Sequence, residues 1–323
     1  MDLIYTNASR EDMGVLQDCS LDLAYGSGEN DFELTTVTSR NVCAPGCLIY
    51  AEGTEYGGIV DRMDVKTADG TLVYAGRTWH GILEGKILAP DAGEDYLTLS
   101  GDANRVLERL IARCGLPDLF QADPADSGIV LSNYRMDRYI AAYTGIVKML
   151  SRAGAKLCLR YSAGKVTLSA AARVLYDEDT QAGTLADFDL SRTERKVNHL
   201  VCLGAGELAE RTVAHLYADE DGTISQTQTF TGADEVAEVY ENTNDDTEAD
   251  LLADAAVRFR ELRDVDRIEM SLAAAGAAYD VGDQIRATEQ VTGLTVTQTV
   301  KKKIVTIRGG EASITYEIGG KIT

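Results

Sequence analysis

One tryptophan, three histidines and four prolines stand among the 323 residues of the chain. So few prolines, beside thirty glycines, exclude a collagen-like or proline-rich disordered chain. No run of 18 apolar residues exists, so no helix is expected to span a membrane. The opening "MDLIYTNASREDM" lacks both a basic segment and an apolar segment, so a secretory signal is not expected. Synthesis and folding in a cytoplasm are the expectation. His80, His199 and His215 do not sit at metal-ligand spacing. The motifs G-x-S-x-G, H-E-x-x-H and the P-loop are missing.

Basic residues are also scarce, 31 against 52 acids, for a net charge of −21. Residues 1–185 carry −9 and residues 186–323 carry −12, so the excess is spread along the chain. A body this acidic does not grip phosphate backbones. Between Ala233 and Asp254 stand nine acids and no lysine or arginine, which reads as a solvated face. Lys301, Lys302 and Lys303 form the one basic cluster, read as charge guarding a strand edge. The six cysteines are scattered. Cys43 and Cys47 make a C-x3-C pair without the second pair or histidines that zinc needs, so reduced, mostly buried thiols are expected.

Length suggests two or three domains. The first ninety residues alternate with period two: Leu21, Leu23 and Tyr25 share a face, as do Phe32 and Leu34. "MDVKTADGTLVYAG" reads as a hairpin turning at Asp69-Gly70. The period then changes. Val106, Leu107, Leu110, Ile111 and Cys114 mark a helix, with Asp102 as its cap and Gly115 and Pro117 at its end. "MDRYIAAYTGIVKMLSRAG" predicts a second helix, and "KLCLRYSAGKVTLSA" two strands around Ser162–Gly164. Residues 177–187 read as a linker. Thr247 and Asp250 resemble a capping box before a helix with a Leu252, Ala256, Phe259, Leu262 stripe. The end returns to alternation, with a hairpin at Gly309-Gly310. Trp79 is read as a core or barrel-edge residue.

"LVCLGAGELAERTV" has the outline of a dinucleotide-binding turn. About nine residues, Glu207 to His215, separate it from the next strand-like segment, "LYADEDG". A crossover helix that returns over a sheet needs a dozen or more. The glycines therefore read as a bend between antiparallel strands, and no binding of NAD, NADP or FAD is expected. No catalytic, cofactor-binding or metal-ligating residue is assigned, and no cofactor.

Taken together, several segments resemble a family of tailed-phage proteins. "YDVGDQIRATEQVTGLTVTQTVKKKIVTIRGGEASITYEIG" is similar to the closing hairpins of siphophage tail proteins related to the baseplate hub and the N-terminal module of tail-associated lysins. Tyr279, Gly282, Asp283, Thr292, Gly293, Gly309 and Tyr316 carry that likeness. Gly204, Gly206, Glu207 and Arg211 match a second family pattern. "GENDFELTT", "GTEYGGIVDRMD" and "LVYAGRTWHGILEGKIL" resemble the family's first barrel, and "DRYIAAYTGIVKMLSRAGAKL" its α/β domain. The resemblance spans nearly the whole chain through many weak motifs in order.

It implies an α+β, mainly β fold: a tail-tube-like barrel over 1–93, a small α/β domain over 94–185, and a second tube-like barrel over 186–323 with a helical insertion around 231–269. It also implies a structural hub in the virion tail, assembled in the bacterial host cytoplasm. The hub would be a homotrimer whose six barrels match a hexameric tail tube to a trimeric tip. Its partners would be tail-tube and distal tail proteins, with tip or fibre proteins below; DNA or tape-measure protein passes without specific binding. Relatives continue into lysin or fibre domains. Here the final strand nears Thr323, so a hydrolase is not expected. The competing readings are a receptor- or carbohydrate-binding β module and a tail peptidoglycan hydrolase.

Overall fold

A computed structural model describes the chain except residues 178–185, 192–195, 244–246, 264–266, 273–278, 289–294 and 320–323. The greater part of the expected linker, and Thr292 and Gly293, thus lie outside the described residues. The fold is mainly β with four α-helices among the described residues. It divides into two compact units, Met1–Asp187 with Met270–Lys321, and Phe188–Glu269.

The larger unit is built on an eleven-stranded sheet. The alternating segments form its strands Ser20–Gly26 and Asp31–Val37, and bury Leu21, Leu23, Tyr25, Phe32 and Leu34 as their period requires. Gly57–Lys66 and Thr71–Thr78 make the expected hairpin. The C-terminal strand Thr295–Arg308 then lies beside Ser20–Gly26, paired from Lys302 opposite Gly26 to Arg308 opposite Ser20. Glu311–Gly319 follows on its other edge after the Gly309-Gly310 turn. Val305 and Ile307 join Leu21, Leu23, Phe32 and Tyr74 in one core.

This pairing divides the chain differently from the expected boundary at 185/186. Sequence reading placed 186–323 in one second barrel. Hydrogen bonding instead returns 284–319 to the sheet of the first ninety residues, because β pairing is indifferent to sequence distance. No closed barrel forms among the described residues; the strand path ends at Leu175–Asp177 and at Asp12–Val15.

Helix α1 (Trp79–Glu84) is capped by the Thr78 hydroxyl, which accepts from the Gly81 amide. Helix α2 (Ala103–Arg113) starts at Asp102 as expected, its carboxylate accepting from the Asn104 amide. Helix α3 (Ala142–Arg152) begins later than the sequence pattern predicts. Tyr139 takes a left-handed φ of +53° and breaks the helix path, and Ile140 and Ala141 pair as strand with Leu88 and Ile87. Behind α2 and α3 lies a three-stranded sheet of Phe120–Ala122, Lys165–Ala172 and Ala155–Ser162. Trp79 is fully buried and stacks on Tyr161 at 5.1 Å, joining this layer to the first ninety residues in one core.

The smaller unit is a four-stranded sheet ordered Ile224–Ser225, Val213–Ala218, His199–Leu203, Ala237–Glu241. Helix α4 (Glu248–Arg263) covers it. The Thr247 hydroxyl accepts from the Asp250 amide and donates to its carboxylate, closing the expected cap. The buried stripe is Leu251, Ala255 and Phe259, one position off the predicted Leu252 and Ala256, which are only partly buried.

Candidate functional site: a buried charge network beside a cavity

The predicted role of the lysine cluster is overturned by its place in the sheet. Thr295–Arg308 is paired on both sides, so Lys302 and Lys303 guard no edge. Lys302 bridges Glu29 and Glu317. Lys303 points inward, 4% exposed, and donates to Glu55 Oε1 at 2.7 Å. Its Nζ lies 3.8 Å from Asp280 Oδ1 and 5.6 Å from the centre of the Tyr56 ring. Asp280 in turn accepts from Lys156 Nζ at 2.7 Å, and Lys156 also donates to Asp283 at 2.8 Å. The network therefore runs Glu55, Lys303, Asp280, Lys156, Asp283.

Asp283 is wholly buried and fully used. Besides Lys156 it accepts from the Val174 and Asp280 amides, at 2.9 and 3.0 Å. Such satisfaction offsets the cost of burying a carboxylate. Gly282 makes the turn possible: its φ is +100°, and a Cβ there would stand 3.0 Å from the Lys156 Cβ. Tyr279 meets Tyr176 and Tyr316 edge to face at 4.8 and 5.3 Å. The "YDVGD" motif is thus a clamp that ties Ala155–Ser162 to the C-terminal strands.

Above the network lies a cavity of about 890 Å³, lined among others by Tyr25, Glu55, His80, Tyr143, Lys156 and Asp280. The His80 ring lies flat on Tyr25 at 4.1 Å and meets the edge of Tyr143 at 5.3 Å. Burial, reinforced by the Lys303 charge, pushes the His80 pKa down to about 3. Burial and the nearby Glu55 push the Tyr25 phenol up, and burial does the same to Tyr143. Burial works against the Lys303 and Lys156 ammoniums, but their carboxylate partners outweigh it and hold both pKa values above the ordinary range. None of these five groups changes protonation near neutral pH, so none is poised for general acid–base work. The arrangement is suited to holding structure together.

The glycine motif is a hairpin turn between His199–Leu203 and Val213–Ala218, antiparallel strands, as its short spacing predicts. Gly206 has φ +101°, and a Cβ there would meet the Glu210 carbonyl at 2.5 Å. The histidines that sequence spacing kept apart are brought together by strand register. His199 Nε2 lies 2.9 Å from His215 Nδ1, and His199 Nδ1 lies 2.6 Å from Glu235. No group of three or more potential metal ligands occurs among the described residues. All six cysteines are free; Cys43, Cys47 and Cys202 are buried and the other three partly so. Burial pushes the Cys43 thiol up to about 12, so it is no nucleophile. Sequence reading gave Glu55 and Lys156 no role and noted His80 only as lacking metal-ligand spacing; of the network it singled out Asp283, in "YDVGD", and Lys303, in the lysine cluster it misread.

No family model matches the sequence, and no curated protein does. Solved structures do. A prophage tail protein, gp18 of Listeria monocytogenes, aligns over 100% of this chain and 96% of its own, with a TM-score of 0.50 and 12% identity. A tail protein from Neisseria meningitidis aligns over 99% and 97%, with a TM-score of 0.48 and 12% identity. A chain of the phage P2 baseplate in its activated conformation aligns over 98% of each, with a TM-score of 0.48 and 10% identity. The Listeria likeness shows a shared fold from end to end, and that fold is one found in phage tails.

Proposed function

We propose that the chain is a structural hub of a phage tail or of a related prophage-derived particle. The observation that carries this reading is the fold shared with a prophage tail protein over 100% of this chain and 96% of that one. The charge network fits it, since its ion pairs brace the sheet. In this reading three copies form a ring that receives the hexameric tail tube above and tip or fibre proteins below. Two tube-like barrel elements per copy would surround a channel for DNA or tape-measure protein. Three copies would carry three times −21, or −63. Acids on the bore would repel the duplex within roughly 8 Å at physiological salt, leaving no sticky phosphate sites. Native mass spectrometry, alone and with the tail-tube protein of the same particle, tests the reading: a trimer is expected. A persistent monomer in the presence of tube and tip proteins would sink it.

A further inference from the structure

The hairpin turn after Leu203 displays a side chain that the chain itself does not use. Leu208 is 95% exposed and sits at φ +51°, a left-handed conformation unfavourable for leucine. The turn is held in that shape. The Thr212 amide donates to the Ala205 carbonyl and the Arg211 amide to the Leu208 carbonyl. Arg211 clamps the Gly204 carbonyl and pairs with Glu241. Strain is thus spent on presenting an apolar knob to solvent, with exposed Glu207 and Glu210 beside it.

The larger unit offers a recess of mixed lining. A cavity of about 370 Å³ opens between Val130–Met136 and the end of α3, lined by Val130, Leu131, Tyr134 and Met149, of which Leu131 and Met149 are buried, and by Ser132, Asn133, Arg135 and Arg152. Val130 is 73% exposed. The strand bulges between Leu131 and Tyr134, which opens the recess. In a chain so rich in acids, neither guanidinium has a carboxylate partner among the described residues; Arg135 lies only against the Tyr96 ring.

We infer that the Leu208 turn of one copy docks into the Val130–Met149 recess of a second copy, with Glu207 and Glu210 against Arg135 and Arg152. Knob and recess are made of different residues, so the contact is heterologous and propagates head to tail, closing into a ring where the rotation allows. The acidic flanks disfavour a lipid bilayer as the occupant. The inference gives a contact to the self-assembling ring proposed above and rests on that reading for the number of copies.

Purified full-length protein is followed by analytical ultracentrifugation across a concentration series. Leu208→Asp is expected to raise the concentration of half-dissociation by at least about tenfold. Leu208→Gly separates the contact from the fold. It relieves the strained φ, so it should raise the thermal midpoint while still weakening assembly. Glu207→Arg with Glu210→Arg weakens assembly, as does Arg135→Glu with Arg152→Glu; all four together restore it. Leu208→Cys protein mixed with Val130→Cys protein should, with oxidised glutathione added as the oxidant, form a disulfide joining residues 208 and 130 of different chains, mapped by mass spectrometry. If wild type assembles and the variants assemble equally, or no such disulfide forms, the inference is overturned and the hub reading stands. If wild type remains monomeric throughout the series, the inference is also overturned, and the hub reading is then decided by the tube protein.

Discussion

His80 is a group whose protonation the fold forbids. It is buried between two tyrosine rings, its Nδ1 makes no hydrogen bond with any described residue, and the Lys303 ammonium stands nearby. Its pKa of about 3 in the fold lies below the ordinary 6.5. The unfolded chain therefore takes up a proton as pH falls through 6.5, and the folded chain does so only near 3. Stability from this group is complete above about pH 6.5 and is lost progressively toward pH 3. At pH 4 the loss is about 3 kcal/mol. His80→Phe keeps a flat ring against Tyr25 and removes the proton site. Urea denaturation should find the variant close to wild type at pH 7 and more stable by about that amount at pH 4. An equal loss in both proteins between pH 7 and 4 would contradict it. Nothing in the sequence announced this residue: it stood out only as lacking metal-ligand spacing, and its pKa is set first by burial and then by Lys303, more than two hundred positions away. Lys303 itself was misread for the same reason. Three adjacent lysines look like surface until the partner strands are known.

At the scale of elements, local chemistry was readable wherever it is decided locally. The cap at Asp102, the Thr247 cap, the hairpin turns at Asp69-Gly70 and Gly309-Gly310, and the bend at Gly204–Gly206 all depend on residues a few positions apart. The start of α3 was not readable, because Ile140 and Ala141 pair with residues fifty positions earlier. Asp102 shows how far a cap can reach. One carboxylate oxygen accepts from the Asn104 amide at 2.9 Å; the other accepts from the Ser127 hydroxyl at 2.8 Å and the Gly128 amide at 3.0 Å. Burial raises its pKa, but these hydrogen bonds prevail and leave it lowered. Asp102→Ala removes the helix cap and unties the 127–128 loop. A loss at the upper end of the ~0.5–2 kcal/mol range for caps is expected. Asp102→Asn, which keeps an acceptor for Asn104, should lose less. Chemical denaturation of the two variants measures both, and equal losses would show that the cap bond is not what matters.

At the scale of the molecule, the larger unit is discontinuous in sequence, and this was the least readable feature. Alternation reveals that a segment is a strand but not which strand it lies beside. The closing strands were legible as strands, and their neighbour Ser20–Gly26 was not. The consequence is testable by dividing the chain. A fragment ending at residue 187 keeps the expected first barrel and α/β domain intact in sequence. It loses the partner along the whole of Ser20–Gly26, and Val305 and Ile307 from the core. It also strands charges: Lys156 loses Asp280 and Asp283, and Glu55 loses Lys303. Removing one partner of a buried pair costs about 3–5 kcal/mol, and domains hold only about 5–15 kcal/mol in all. Residues 1–187 alone should therefore show no cooperative thermal unfolding and should bind a hydrophobic dye. Restoring the missing strands should reverse this. The Tyr176 and Tyr279 rings meet at 4.8 Å, so a short glycine–serine linker can join residue 177 to residue 279. The rejoined chain, 1–177 with 279–319, should melt cooperatively in calorimetry without residues 178–278. A cooperative melt from 1–187 by itself would mean that the closing strands decorate the sheet, and that the charge network is dispensable to it.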